Sequence, residues 1–144
     1  MHTTNAQSPA CAIEQLRVKQ DRIVCLLQID NEAHRYTSPE LIRGLSSDFP
    51  GLGKHTCKNA YGPTFAAVME NTSIPHLLEH LVIDLQAAQC RQSAEIFVGT
   101  SEWIDEQAGR ACIEVSFTDD LNALRAFRDA ISILNKAVIS YVNR

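Results

Sequence analysis

At 144 residues, with 45% apolar side chains, the chain has the length of one domain and enough material for a core that needs no staples. No apolar run approaches the roughly 20 residues that span a bilayer. Lys and Arg are unclustered in a chain of net charge −4, so nucleic acid finds no electrostatic footprint.

Residues 1–10 lack both a basic start and an apolar stretch, so they read as a disordered tail rather than a signal peptide, which places the protein in the cytoplasm. Residues 11–144 read as a single domain. Two strand-like segments meet across Gln20-Asp21 as a hairpin: 11–19 with Ile13, Leu16 and Val18, then 22–29 with Ile23, Val24, Leu26, Leu27 and Ile29. Ser38-Pro39-Glu40 supplies an N-cap, a proline at the first helical position and a first-turn acid; a short helix starts there and stops near Phe49-Pro50-Gly51. A polar, glycine-rich loop runs on to Gly62-Pro63, and residues 64–70 look like another short helix.

A longer helix starts at Thr72 or Ser73, carries Pro75 in its first turn and runs to about Gln89. Residues 94–98 then read as a strand, and Glu102-Trp103-Ile104 pairs with 111–117 across Gln107-Ala108-Gly109-Arg110. Asp119 or Asp120 caps a terminal helix with Leu121, Leu124, Phe127, Ile131, Leu134, Val138 and Tyr141 at helical spacing, a stripe for the core or for a homo-oligomer seam. This order implies an α+β domain, a mainly antiparallel sheet built from two hairpins with helices packed on one face.

Cys11, Cys25, Cys57, Cys90 and Cys112 are odd in number and include no C-x-x-C pair, which argues against a disulfide framework. Cys25 and Cys112 sit in apolar, strand-like runs, whereas Cys57 lies in the polar loop two residues after His55.

His76-Leu77-Leu78-Glu79-His80 reads H-x-x-E-H. On a helix, positions i and i+4 share a face, so both imidazoles can converge on one divalent cation with Glu79 beside them as a base. Asp84 falls on the same side, while Ile74, Leu77, Leu81, Leu85 and Ala88 make an opposite face for the core. A catalytic zinc takes three protein ligands and keeps one position open, and the pentapeptide supplies only two. Cys57, His55 and Asp84 compete for the third place, with Cys57 preferred as a soft donor. In the competing reading His55 or Asp84 simply hydrogen-bonds a motif histidine and no metal is involved. Trp103 and Tyr61 are candidates to stack a substrate, although a lone tryptophan in a strand is more often core.

Several segments in one order resemble the N-terminal domain of cyanophycin synthetase: Pro50-Gly51-Leu52-Gly53-Lys54-His55-Thr56-Cys57, Gly62-Pro63-Thr64-Phe65, Glu70-Asn71-Thr72, and His76 through Gln86. That family reads P-G-L-x-x-H-x-C, G-G-F, E-G-T and H-V-x-E-H-x-A-L-E-L-Q over the same intervals. Two departures stand out. Phe97-Val98-Gly99-Thr100-Ser101 replaces the family's F-G-R-T-R and so lacks both basic residues, and Asp84 replaces a Glu.

The resemblance implies a domain that holds an aspartate-arginine polymer or, through a pitrilysin-type zinc site, cuts it into primers. The ATP-grasp and Mur-ligase-like domains of that synthetase are absent from this length of chain, and no P-loop is present. The expectation is a cytoplasmic zinc-dependent hydrolase of peptide or isopeptide bonds, with His76, His80 and Cys57 on Zn²⁺ and Glu79 as base. The alternative is a non-catalytic polymer-binding or accessory module that works with a separate synthetase.

Overall fold

Alternating side chains build the sheet. In the computed structural model, which describes residues 9–142, β1 (Ala12–Val18) and β2 (Arg22–Gln28) form one antiparallel hairpin, and β3 (Gly99–Asp105) and β4 (Arg110–Ser116) form another. The hairpins join through β2 and β4, also antiparallel, in the order β1-β2-β4-β3. Ile23, Cys25 and Leu27 lie opposite Val115, Ile113 and Ala111, and all six are buried in the core under the helices. Val24, Leu26, Cys112 and Glu114 alternate onto the other, half-exposed face. The α+β architecture therefore follows from the two-residue period of the strands.

The helices start where their caps lie. Ser38 accepts from the Leu41 amide at 3.2 Å to open α1 (Pro39–Ser46), and Ser73 accepts from the His76 amide at 3.2 Å to open α2 (Ile74–Cys90). Asp119 Oδ1 accepts from the Leu121 and Asn122 amides at 3.0 and 3.2 Å, ahead of α3 (Asp120–Val142). Of the expected α3 stripe, Phe127, Leu134 and Val138 are buried in the core, where α3 packs against α2, and Leu124, Ile131 and Tyr141 are half-buried, whereas Leu121 at the helix start is exposed. Among the described residues no helix is long and apolar enough to cross a membrane. Of the expected tail, residues 1–8 lie outside the described residues, and Ala10 is buried.

Two expected elements differ. Residues 94–98 are not a strand: a 3-10 turn covers Ala94–Ile96 because the Ser93 side chain caps the Glu95 amide at 3.2 Å, and the strand begins only at Gly99. Residues 64–70 hold a single 3-10 turn, Phe65–Ala67, with Phe65 fully buried. The motif helix differs as well. α2 packs against α3, β3 and β4, so Leu78, Val82 and Ile83 are buried along with the expected leucines, as are Glu79, His80 and Gln86. Only its last turn emerges, leaving Leu85 half-buried and Ala88 exposed instead of in the core.

Arg35, buried and unanticipated from sequence, ties the end of β2 to the β3–β4 turn. Its guanidinium donates to the carbonyls of Ile29 and Asp30, both at 2.9 Å, and to those of Glu106 and Gln107 at 3.1 and 3.3 Å. Gly109 in that turn has φ 75°, and a β-carbon there would collide with the Ile29 carbonyl, so both conformation and space call for glycine.

Candidate functional site

The cleft lies between α2, the loop before it and the start of β3. Its volume is about 750 Å³; His55, Cys57, His76 and His80 line one side and Gly99–Ser101 the other. Cys57 is held by a pinched loop. Thr56 bridges Thr64, the Cys57 amide donates to the Pro63 carbonyl at 3.1 Å, and the Phe65 amide donates to the His55 carbonyl at 2.9 Å. Asn59 staples the turn from within, accepting from the Tyr61 and Gly62 amides at 2.8 and 2.9 Å and donating to the Cys57 and Thr64 carbonyls at 3.4 and 3.2 Å. Phe65 then lies under the motif, stacked on His80 with centroids 4.0 Å apart and edge-on to His76 at 4.9 Å.

One ligand atom from each of Cys57, His76 and His80 lies within 4.8 Å of the other two. Cys57 Sγ is 3.4 Å from His76 Nε2, and the other nitrogen of that ring, Nδ1, is 2.9 Å from Thr72 Oγ1. His80 Nδ1 is 3.1 Å from His55 Nδ1, and His55 Nε2 is 2.9 Å from Asp84 Oδ1. His80 Nε2 is left over. It is buried without a hydrogen-bond partner, one of two such side-chain atoms among the described residues, the other being Gln86 Oε1. Its nearest acidic neighbour, Glu79 Oε2, stands 3.7 Å away, too far for a hydrogen bond.

One thiol and two imidazoles with ligand atoms this close together could hold a metal ion. His55 and Asp84, the other two candidates for the third place, bond each other behind His80 instead of joining the group.

Burial controls the electrostatics. It pushes the His80 imidazole down to about 3, helped by the neighbouring His76 and His55, and it lowers His76 too. Both rings therefore stay neutral with lone pairs available, as metal ligation requires. Glu79, only 5% exposed, is pushed up to about 7 by the same loss of solvent, partly offset by a hydrogen bond from Ser101. Trp103 is half-buried against Tyr36, with centroids 6.1 Å apart, and Tyr61 is exposed; neither lines the cleft.

Sequence reasoning misses Thr72, Phe65, Asn59, Gly99 and Ser101. The Asn59-Ala60-Tyr61-Gly62-Pro63 run is a turn signal that could have marked the pinched loop. Nothing in the spacing marks the contact of Phe65 with His80.

An α+β domain with helices over one face of a four-stranded sheet, carrying a buried thiol-imidazole group beside a carboxyl, is the class that fold and site define together. Residues 23–139 match the family described as the cyanophycin synthase-like N-terminal domain, and the chain belongs to that family. No curated protein matches it significantly.

Proposed function

We propose that the protein is a zinc-dependent hydrolase of peptide or isopeptide bonds, with an aspartate-arginine polymer as its candidate substrate. The observation that carries this is the grouping of Cys57, His76 and His80 next to Glu79, with Cys57 Sγ 3.4 Å from His76 Nε2 and His80 Nε2 left without a partner. Tetrahedral zinc sets a sulfur and a nitrogen ligand about 3.5 Å apart, against 3.4 Å between Cys57 Sγ and His76 Nε2. When bound, Zn²⁺ supplies Lewis-acid polarisation of a carbonyl and water that ionises near neutral pH.

The chain's own residues do the rest. Thr72 orients His76, and Phe65 fixes the plane of His80 by stacking. Glu79, with a carboxyl near 7, is matched to accept a proton from attacking water at neutral pH and return it to the leaving amine. The H-x-x-E-H spacing puts that carboxyl one residue from His80, so base and ligand share one rigid turn of α2.

A second reading draws on the thiol. A thiolate gives the cation more charge than an imidazole or carboxylate does and weakens it as a Lewis acid, which favours a metal-holding module that binds polymer for a separate synthetase without cutting it. Two measurements separate the readings. Metal analysis of protein purified without a polyhistidine tag is expected to give one zinc per chain, lost in His76→Ala. Glu79→Gln is expected to keep the zinc while losing at least 100-fold in cleavage of an aspartate-arginine oligomer. Zinc with no cleavage by the wild type favours the holding module, and a wild type without zinc removes the hydrolase.

A further inference from the structure

We infer that Asp84 and His55 are positioning residues that set which nitrogen of His80 is bare, and so keep the donor group open to a cation. The three side chains form one line: Asp84 Oδ1 to His55 Nε2 at 2.9 Å, then His55 Nδ1 to His80 Nδ1 at 3.1 Å, ending at the unpartnered His80 Nε2.

Each contact constrains the next. A carboxylate only accepts, so the hydrogen between Asp84 and His55 sits on His55 Nε2. In the neutral ring this leaves His55 Nδ1 as an acceptor, and the hydrogen between the two Nδ1 atoms belongs to His80. Neutral His80 then carries no hydrogen on Nε2, which leaves a lone pair on a buried nitrogen of a ring grouped with Cys57 and His76. The reverse assignment would put an N–H at His80 Nε2, where no acceptor lies within hydrogen-bond reach, and would close that atom to a cation. The line is also well shielded, because His55 and His80 are both buried and Phe65 stacks on His80. Asp84 sits on α2 one turn beyond His80, and His55 sits on the loop that carries Cys57. One line of contacts thus sets the hydrogen on His80 and ties the Cys57 loop to the helix.

The purpose of this line rests on the zinc reading, whereas its geometry does not. The test therefore has two arms. Long-range ¹H–¹⁵N correlation spectra of the metal-free wild type are expected to show His80 as the Nδ1–H form with a bare Nε2. A hydrogen on His80 Nε2 would overturn the inference, whether or not the protein binds zinc.

In the second arm, zinc affinity is measured by competition with a chromogenic chelator. Asp84→Leu is expected to bind zinc 10- to 100-fold more weakly and to show mixed His80 tautomers, and Asp84→Glu, which restores the carboxylate, to return within about threefold of wild type. Unchanged affinity and an unchanged His80 tautomer in Asp84→Leu would sink the inference. A wild type that binds no zinc would remove the hydrolase proposal and leave the tautomer spectrum to decide this one.

Discussion

Glu79 lies so close to Gly99 that a β-carbon at position 99 would fall 2.7 Å from Glu79 Cγ and 2.9 Å from its Oε2. The first residue of β3 is thus glycine at the point where the motif carboxyl needs room. Gly99→Ala is expected to displace that carboxyl and to destabilise the fold by about 1–3 kcal/mol, the usual cost of overpacking. Zinc content should persist, because the three atoms nearest the new methyl group all belong to Glu79 and not to a donor, while oligomer cleavage falls at least tenfold. Urea denaturation together with metal analysis checks both halves; an unperturbed midpoint with full cleavage would mean that β3 yields without cost.

Stability of the metal-free protein should depend on pH through Glu79. Its carboxyl rises from an ordinary 4.5 to about 7 on folding, so between those values the native state holds a proton that the unfolded chain releases, and stability falls as pH rises through this window. Glu79→Gln removes the penalty and is expected to be more stable than wild type at pH 8 by about 3 kcal/mol. Below pH 4.5 the advantage should vanish. His80 works in the opposite sense: with its pKa depressed to about 3, stability is lost as pH falls from the ordinary 6.5 toward that value. Denaturation of the two proteins across pH 4–8 should therefore show a steeper rise with pH in the variant.

Cys11 and Cys25 are buried, and burial pushes both thiols to about 12. An aromatic disulfide reagent at pH 8 should modify them only as fast as the protein unfolds. Their protons also link to alkaline stability. The unfolded thiols ionise near 9.0 and the folded ones do not, so stability should decline as pH rises from about 9 toward 12. Cys25→Ala, which cannot ionise, should flatten that decline.

Arg35→Met removes a buried cation that joins four carbonyl groups of two separate segments. Hydrogen bonds to charged groups contribute about 1.5–3 kcal/mol each, and the stranded carbonyls add to the loss, so destabilisation of about 3 kcal/mol or more is expected in urea. Zinc binding by the fraction that remains folded should be unchanged, since Arg35 does not line the cleft.

Much of the fold is legible because local signals agree with it. Ile23, Cys25 and Leu27 alternate, Ser38-Pro39 and Ser73 cap their helices, and Gly109 marks its turn, each through chemistry confined to a few residues. The misread segments are those that tertiary contacts decide. Ile96 and Val98 have the composition of a strand, yet both are exposed, and a serine cap upstream turns the chain before pairing begins. The burial of Glu79 is likewise invisible in helical periodicity, because the packing of β3 against α2 comes from a segment about 20 residues further on. The histidines and Cys57 are visible as donor types. Their meeting depends on a loop shape that Asn59 makes from its own side chain.

That stapled loop puts the two halves of the donor group on different segments of the chain. The sulfur belongs to a loop that closes on itself through Asn59 and reaches the helix through His55, whereas the nitrogens belong to the most buried helix of the domain. An ion held there would bridge the two segments, so its release would require the loop to open and the His55 contacts to α2 to break.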